Sequence, residues 1–196
     1  MKRLFDILFS LFILLLFLPF GLIISILILL ESRGGIFYKQ ERIGKNGVSF
    51  KLMKFRSMRT DADKSGKLTV GMRDARITRI GYFIRKFKLD EFPQFINVLK
   101  GEMSIVGPRP DVQEYVDLYS EEERKILKVK PGITDYASLE YFEESELLAK
   151  SSNPEETYIK EIMPAKLKLN QKYLANPSLG HDIKIIFLTA KRILHL

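Results

Sequence analysis

An adjacent acidic pair and an arginine held between two prolines are the residues of this sequence best suited to chemistry. Asp90 and Glu91 stand at the start of the stretch LDEFPQFINVLKGEMSIVGPRP, and Arg109 stands at its end. A carboxylate can bind Mg²⁺ or attack phosphorus, and a guanidinium binds phosphate through two parallel hydrogen bonds. Because the flanking prolines restrict the backbone of Arg109, they pre-orient its side chain. The stretch therefore indicates phosphate chemistry.

Taken alone, each of these groups has a simpler structural explanation. Asp90 is predicted to cap a helix that runs to Leu99 and stops at Gly101, with Glu91 as a favourable acid in its first turn. Arg109 on its own fits a surface arginine on a rigid turn. An anion site is favoured by the basic residues that directly precede the acidic pair, which are Arg79, Arg85, Lys86 and Lys88.

The composition limits the classes of function. The chain has 196 residues and a net charge of +8, which fits anionic partners such as nucleic acid, acidic lipid headgroups or phosphorylated substrates. It has no cysteine, so disulfides and thiolate sites are excluded. The two histidines, His181 and His195, lie near the C-terminus and argue against zinc. No nucleic-acid-binding motif is present, so we expect no nucleic-acid partner.

A long apolar segment near the N-terminus predicts contact with a membrane. No charged residue occurs from Ile7 to Leu30, and a straight helix of that length would cover about 36 Å, enough to cross a hydrocarbon core of about 30 Å. Hydropathy alone favours an ordinary spanning helix. Pro19 interrupts the segment, however, and basic residues flank it on both sides, so the positive-inside bias gives no orientation. A re-entrant helix that breaks at Pro19 and returns to the same face accounts for both observations.

Residues 34–196 are predicted to form one compact domain, separate from the membrane segment at 1–33. Alternating side chains around Gly44–Gly47 predict a short β-hairpin over Ile36–Phe55, because an Asn-Gly pair favours a tight turn between strands. Residues 60–76 are polar and predict a loop. The remaining domain is predicted as helices, some of them amphipathic and interfacial, so the expected fold class is α+β and mainly helical.

Several helices carry their own start or stop signals. Thr78 is predicted to cap the basic helix, and Ser120 with Glu123 forms a capping-box pattern. Pro164 predicts a break or a kink in the helix around it. The last helix, Leu179–Leu194, has one apolar side flanked by basic residues. That side is expected to pack on the core, and the alternative is a helix lying in the headgroup region of a membrane.

Four stretches of the sequence together resemble a known family. They are KFRSM at Lys54–Met58, RITRIGYFIRKFKLDEFPQ at Arg76–Gln94, NVLKGEMSIVGPRP at Asn97–Pro110 and KPGIT at Lys130–Thr134. With the apolar segment before them, they are similar to the small monotopic phosphoglycosyl transferases of the bacterial sugar transferase family. The resemblance covers nearly the whole chain and matches the minimal form of that family.

The resemblance implies a specific reaction and a role for each candidate residue. The enzyme would transfer a sugar-1-phosphate from a UDP-sugar to a polyprenyl phosphate, usually undecaprenyl phosphate, and release UMP. Asp90 would attack the β-phosphorus and carry the phosphosugar covalently, while Glu91 would bind the metal or deprotonate the lipid phosphate. Mg²⁺, held by these two acids, would neutralise the diphosphate. Arg109 would bind phosphate, with Arg85 and Lys54 as further members of the anion site.

Two positions depart from the pattern common in the family. Phe92 stands where a leucine is frequent, and Asp135 stands where a glycine often follows PGIT. These changes concern local loop detail or substrate preference. The resemblance does not identify the sugar, because the family uses N-acetylhexosamines, galactose and di-N-acetylbacillosamine. The minimal length of the chain favours a di-N-acetylated sugar, such as di-N-acetylbacillosamine, in protein glycosylation.

The resemblance also implies a location. It favours the re-entrant helix with its break at Pro19, and hence a catalytic domain on the cytoplasmic face of the bacterial inner membrane, against the anionic headgroups of one leaflet. Other enzymes of the same glycan pathway would be its partners. Two alternatives stay open: a membrane-anchored basic adaptor without catalysis, and a Mg²⁺-dependent phosphatase or kinase. No Walker-type glycine loop supports a kinase.

Overall fold

The structure is a computed structural model that describes residues 1–60, 62, 70, 71 and 74–194. Its helices are α1 (Lys2–Glu31), α2 (Arg79–Lys86), α3 (Gln94–Lys100), α4 (Gln113–Val116), α5 (Tyr136–Glu140), α6 (Glu144–Ala149), α7 (Pro154–Thr157), α8 (Met163–Ala175) and α9 (Leu179–Ile193). Its strands are β1 (Phe37–Ile43), β2 (Ser49–Phe55), β3 (Ser104–Val106) and β4 (Gly132–Thr134). Segments of 3₁₀-helix cover Lys45–Gly47, Leu89–Glu91 and Glu123–Lys128, and a π-helical turn covers Tyr158–Ile162. The mainly helical α+β class is confirmed, and the loop predicted over 60–76 lies mostly outside the described residues.

β1 and β2 form the predicted antiparallel hairpin, in which Phe37 pairs with Phe55. Asn46 and Gly47 adopt left-handed backbone in the turn, with φ values of 58° and 77°. Asparagine and glycine tolerate this conformation better than other residues, which is why the Asn-Gly pair predicts the turn correctly. Exposed and buried side chains alternate through the first half of β2, so one face of the hairpin joins the core.

The sequence does not predict the second sheet, a parallel pair of β3 and β4. Each strand has three residues, which is too short for a periodic pattern to be recognised. Gly132 permits the close pairing, because a Cβ atom there would lie 2.1 Å from the backbone nitrogen of Gly107. The strand pair places the segment that follows β3, which contains Arg109, beside the start of α5.

The core is built from several hydrophobic clusters. The central one joins β2, α3, β3, α8 and α9, and another fills the space between α4, α6 and α8. A further cluster brings Ile24 and Ile28 of α1 against Phe55 and Ile84. The apolar helix α1 is therefore also a packed element of the domain.

α1 is continuous and contains Pro19 in its interior. The helical structure does not end at the proline, so the predicted break is not seen as an interruption of the helix. Packing on both sides of the proline holds the helix together: Phe17 stacks on Phe92 with ring centroids 3.7 Å apart, and Gly21 lies against Phe55. By length and composition α1 could cross a membrane, and the re-entrant topology stays a prediction.

Polar contacts fix the N-terminal end of α1 to the domain. Lys2 forms an ion pair with the buried Asp182 at the start of α9. Arg3 donates hydrogen bonds of 2.7 and 3.0 Å to two carbonyl groups at the end of α3. Asp6, which is buried, accepts a hydrogen bond of 2.8 Å from the hydroxyl of Ser104 in β3.

Polar contacts also fix the C-terminal end of α1 to the domain. Arg56, which follows β2, donates to the carbonyl groups of Ser32 and Arg33 at 2.7 and 2.5 Å. Glu31 accepts a hydrogen bond of 2.6 Å from the backbone N–H of Arg79, so it helps to cap α2. Both ends of the apolar helix therefore contact the same domain.

Most of the predicted helix signals are confirmed. Thr78 caps α2 by accepting a hydrogen bond of 2.9 Å from the N–H of Gly81. The carboxylate of Glu123 accepts a hydrogen bond of 2.8 Å from the backbone N–H of Ser120, as in a capping box, although the helix that follows is a 3₁₀-helix. Pro164 lies directly after the π-helical turn that interrupts the helix between α7 and α8.

The apolar side predicted for α9 packs on the core only in part, through Ile186, which lies against the central cluster. Ile183 and Phe187 are 52% and 68% exposed, whereas Asp182 and Ile185 are buried. The orientation of α9 is set by Asp182. This residue pairs with Lys2 and accepts a hydrogen bond of 2.5 Å from the hydroxyl of Tyr173. The exposed apolar side fits the alternative of a helix at the membrane surface.

Candidate active site

A left-handed residue ahead of the acidic pair sets its position. α2 ends at Lys86, and Lys88 then adopts φ 55° and ψ 19°, which is uncommon for a residue other than glycine. The chain continues into the 3₁₀ turn Leu89–Glu91, in which Asp90 is buried. This turn directs the acidic pair into the interior of the domain.

Asp90 does not cap the following helix, so that prediction is wrong. α3 begins at Gln94, and its N-cap position is taken by Pro93, which makes no side-chain cap. Because the acidic pair already belongs to a separate 3₁₀ turn, Asp90 lies too far from the helix to cap it. The predicted stop at Gly101 is confirmed, with φ 88°. Asp90 is thereby available for other chemistry.

The carboxylate of Asp135 holds the backbone of Arg109 in place. The Arg109 N–H donates a hydrogen bond of 3.1 Å to the buried Asp135, which also caps α5 by accepting from the N–H of Ser138. Gly107 has no room for a side chain, because a Cβ atom would lie 2.6 Å from the carbonyl oxygen of Lys130. Sequence reasoning missed the role of Asp135, although an acid just before a helix was the available signal.

Two cations converge on Glu91. The guanidinium of Arg109 donates two hydrogen bonds to the Glu91 carboxylate, at 3.1 and 2.5 Å. Lys54 Nζ, which comes from β2, lies 3.1 Å from Glu91 Oε1 and 3.9 Å from Asp90 Oδ2. The fold therefore brings together four predicted site residues from separate segments of the chain.

These side chains line a cavity of about 450 Å³. Arg85 also lines it, and Nε of Arg85 has no hydrogen-bond partner among the described residues. Of the other basic residues that precede the acidic pair, Lys88 lines the cavity, whereas Arg79 and Lys86 do not. Pro19, the predicted helix break, does not line the cavity. Apart from Pro19, all the predicted site residues therefore share one cavity.

Another polar cluster lines a different part of the same cavity. The hydroxyl of Tyr158 donates a hydrogen bond of 2.9 Å to Asp111, and Arg42 lies 3.4 Å from the same carboxylate. Lys166 lies over the Tyr158 ring, 5.4 Å from its centroid. Sequence reasoning missed these residues, because they come from β1, from the loop before α4 and from the π-helical region, and no local motif links them.

Burial and neighbouring charges move the pKa values of the two adjacent acids in opposite directions. Burial raises the pKa of Asp90, against an opposing effect of Lys54. Burial acts in the same direction on Glu91, but Arg109 and Lys54 together outweigh it and hold the pKa of Glu91 well below its usual range. In return, Glu91 raises the pKa of Arg109. Glu91 is thus a fixed anion, and Asp90 is the acid whose charge is less well compensated.

The side chains of this site supply too few ligands for Mg²⁺ unless a substrate adds phosphate oxygens. The described residues contain no cluster of three or more acidic, histidine or cysteine side chains that could hold a metal ion. Mg²⁺ commonly takes one or two carboxylates and completes its shell with phosphate and water oxygens. Asp90 fits such a role, because its one ion-pair contact within the described ranges is the 3.9 Å contact to Lys54. Glu91 fits less well, since both of its oxygens already accept from Arg109.

Fold and site together give a domain with a cavity lined by two acids and several cations, and an apolar helix long enough to cross a membrane. The family model described as bacterial sugar transferase matches residues 1–196. The chain therefore belongs to the bacterial sugar transferase family, a family of phosphoglycosyl transferases.

Several curated relatives share this similarity. A Bacillus subtilis (strain 168) protein named "Putative undecaprenyl-phosphate N-acetylgalactosaminyl 1-phosphate transferase" is 50% identical over 121 residues, which cover 62% of this chain and 68% of the relative. The Aeromonas hydrophila UDP-N-acetylgalactosamine-undecaprenyl-phosphate N-acetylgalactosaminephosphotransferase is 37% identical over 98% of this chain. The Escherichia coli (strain K12) UDP-glucose:undecaprenyl-phosphate glucose-1-phosphate transferase is 36% identical over 96% of this chain. The chain spans only 43% and 39% of the lengths of the last two relatives.

Proposed function

We propose that this protein transfers a sugar-1-phosphate from a UDP-sugar to a polyprenyl phosphate and releases UMP. The observation that carries the proposal is the buried Asp90 carboxylate, which shares a cavity with Lys54, Arg85 and Lys88 while Glu91 is held by separate hydrogen bonds. A carboxylate among cations suits attack on a phosphorus atom whose charge must be neutralised. The names of the relatives describe the same kind of transfer onto undecaprenyl phosphate.

In the first step, an oxygen of Asp90 attacks the β-phosphorus of the UDP-sugar. A bond forms between this oxygen and phosphorus, the bond from phosphorus to the bridging oxygen breaks, and UMP leaves with that electron pair. In the second step, an oxygen of the lipid phosphate attacks the same phosphorus, and the bond to Asp90 breaks. The products are a polyprenyl diphosphate sugar and the regenerated carboxylate. This sequence predicts ping-pong kinetics.

The cations have different tasks in this scheme. Arg85 has an Nε–H without a partner among the described residues, so it can bind phosphate without giving up a protein contact. Lys54 lies between the two acids and can stabilise charge that develops at phosphorus. Arg109 is held by Glu91 and lines the cavity, so its N–H groups that do not bind Glu91 can bind phosphate. Glu91 thereby acts chiefly by orienting Arg109.

Mg²⁺ belongs to the proposal as a cofactor that Asp90 would hold together with diphosphate oxygens. When bound, it would reduce the negative charge that opposes the approach of a carboxylate to a phosphate. Glu91 would bind the ion only by giving up a hydrogen bond from Arg109.

We further propose that α1 is re-entrant and that the domain lies on the cytoplasmic face of the bacterial membrane. The contacts of Lys2 and Glu31 support this topology, because both ends of the helix bind the same domain. A spanning helix would place its ends on opposite sides of a hydrocarbon layer of about 30 Å. Basic side chains near the surface would add attraction to anionic headgroups.

A screen of UDP-sugars for UMP release tests the proposed reaction. The purified protein is incubated with undecaprenyl phosphate in vesicles and with UDP-N-acetylgalactosamine, UDP-glucose, UDP-galactose or UDP-di-N-acetylbacillosamine. Release of UMP with formation of a lipid-linked sugar supports the proposal and identifies the sugar, which we expect to be di-N-acetylated, as in protein glycosylation. Absence of UMP with every donor would instead favour a membrane-anchored adaptor without catalysis.

A further inference from the structure

We infer that the isoprenoid chain of the lipid substrate enters the cavity between the first and the last helix, over Ile13 of α1 and Ala190 of α9. The inference rests on the proposed function, because it assigns one wall of the same cavity to the lipid. It starts from the composition of the cavity lining, which is cationic around Asp90, polar around Asp111, and mostly apolar where the first and last helices contribute to it.

The apolar wall comes from the two terminal helices. Phe9 and Ile13 of α1 line the cavity, and so do Ile186, Ala190 and Ile193 of α9. In each helix these residues are spaced by three or four positions, so they lie on one side of the helix. A hydrocarbon chain matches this wall, whereas a nucleotide or a sugar would leave its polar groups without partners there.

The two helices are held together at one end. Lys2 near the start of α1 forms an ion pair with Asp182 near the start of α9. Ile13 and Ile193 each lie about 16 Å further along their helix, at 1.5 Å per residue. The part of the cavity between these positions therefore lies at a distance from the point where the helices are joined.

Both helices also expose apolar side chains that do not line the cavity. Leu15 of α1 is 64% exposed, and Phe187 and Leu194 of α9 are 68% and 64% exposed. Apolar residues exposed on neighbouring elements mark a surface that contacts a membrane or a partner. Because α1 has the length and composition of a membrane segment, a membrane is the partner that fits. The cavity would then open towards lipid on this side.

Ring contacts leave Ile13 as the open position along α1. Phe9, one turn before it, contacts Phe95 with centroids 6.5 Å apart, and Phe17, one turn after it, stacks on Phe92 at 3.7 Å. A chain that crosses Ile13 would pass between these two ring pairs. The phosphate group of the lipid would then contact the cations around Asp90. A single polyprenyl phosphate molecule therefore matches both the apolar and the cationic parts of the cavity.

Tryptophan substitutions at the opening test the inference. Ile13→Trp and Ala190→Trp add bulk at the apolar wall. Leu15→Trp and Leu188→Trp are matched controls, because each lies two residues from a test position, on the other side of the same helix, and does not line the cavity. The Ala190 position is exposed, so it tolerates bulk even if the half-buried Ile13 position does not. Each full-length variant is assayed with decaprenyl phosphate in phosphatidylglycerol vesicles and with the UDP-sugar that is active in the screen.

We expect the KM for decaprenyl phosphate to rise about tenfold or more in Ile13→Trp and Ala190→Trp, with less than about a twofold change in the KM for the UDP-sugar. The two controls should match the wild type. An unchanged lipid KM, an equal rise in both KM values, or the same lipid effect in the controls would overturn the lipid wall while leaving the proposed function intact. A wild-type protein that releases no UMP with any donor of the screen would overturn both.

Discussion

Arg109 binds both carboxylate oxygens of Glu91, at 3.1 and 2.5 Å, inside the cavity that also contains Asp90. This pairing gives the two adjacent acids different environments. Glu91 is neutralised by a fixed arginine, while Asp90 has a single ion-pair contact with Lys54 at 3.9 Å within the described residues. Two neighbouring acids thus become one positioning group and one candidate nucleophile.

Arg109→Lys should lower kcat/KM for the UDP-sugar by about tenfold to a hundredfold, since a hydrogen bond to a charged group contributes about 1.5–3 kcal/mol. Lysine keeps the charge but cannot donate two parallel hydrogen bonds to Glu91 while still binding phosphate. Steady-state kinetics measure the effect. The control is Arg124→Lys, an exposed arginine outside the cavity. Equal activity of Arg109→Lys and the wild type would show that the two-fold hydrogen bond is not needed.

The pH dependence of turnover should follow the ionisation of Asp90. The nucleophile must be charged, and burial raises its pKa, so activity should fall as the pH drops through this raised value. Lys54 opposes the rise, and Glu91 adds to it. Lys54→Met should therefore move the acid limb of the kcat/KM profile to higher pH, and Glu91→Gln should move it to lower pH. If both variants moved the acid limb in the same direction, the assignment of this limb to Asp90 would be contradicted.

Gly132→Ala should destabilise the protein, because the new methyl group would meet the backbone of Gly107 in the β3–β4 pair. Overpacking of this kind typically costs roughly 1–3 kcal/mol. Thermal unfolding in detergent measures the loss as a lower Tm. Gly180→Ala is the control, since the nearest atom to a Cβ there is 3.9 Å away. A Tm for Gly132→Ala equal to that of the control would exclude close packing at this strand pair.

Cysteine labelling should place both ends of α1 on one side of the membrane. The chain has no cysteine of its own, so one cysteine inserted after Met1 and another replacing Gly35 report separately on the two ends. In sealed inverted vesicles, an impermeant maleimide should label both. Lys125→Cys, in the exposed part of the domain, marks the cytoplasmic side. Labelling of the two ends from opposite sides would restore a simple spanning helix.

The elements that sequence reasoning predicts correctly depend on local signals. The Asn46-Gly47 turn, the Thr78 cap and the Gly101 stop each follow from the conformational preference of one or two residues. Arg109 and the acidic pair are identified as candidates by the basic residues before the pair and by the four stretches that resemble the family, since each group alone has a simpler structural explanation.

The features that sequence reasoning misses depend on contacts between distant segments. Asp90 fails to cap α3 because Lys88 adopts a left-handed conformation that no residue type signals. Asp135 supports Arg109 only because two three-residue strands pair. The buried side of α9 is chosen by an ion pair between Asp182 and Lys2, from the far end of the chain. The conformational preferences of individual residues do not indicate any of these contacts.

Trapping of the phosphosugar on the protein tests the central claim most directly. The full-length protein is incubated with a UDP-sugar, labelled in the sugar, that is active in the screen, without any lipid acceptor, and is then digested for mass spectrometry. We predict about one label per protein on the peptide that contains Asp90, loss of the label when decaprenyl phosphate is added, and no label in a folded Asp90→Asn variant. Turnover without any protein-bound label, or label that persists in Asp90→Asn, would contradict a covalent role for Asp90.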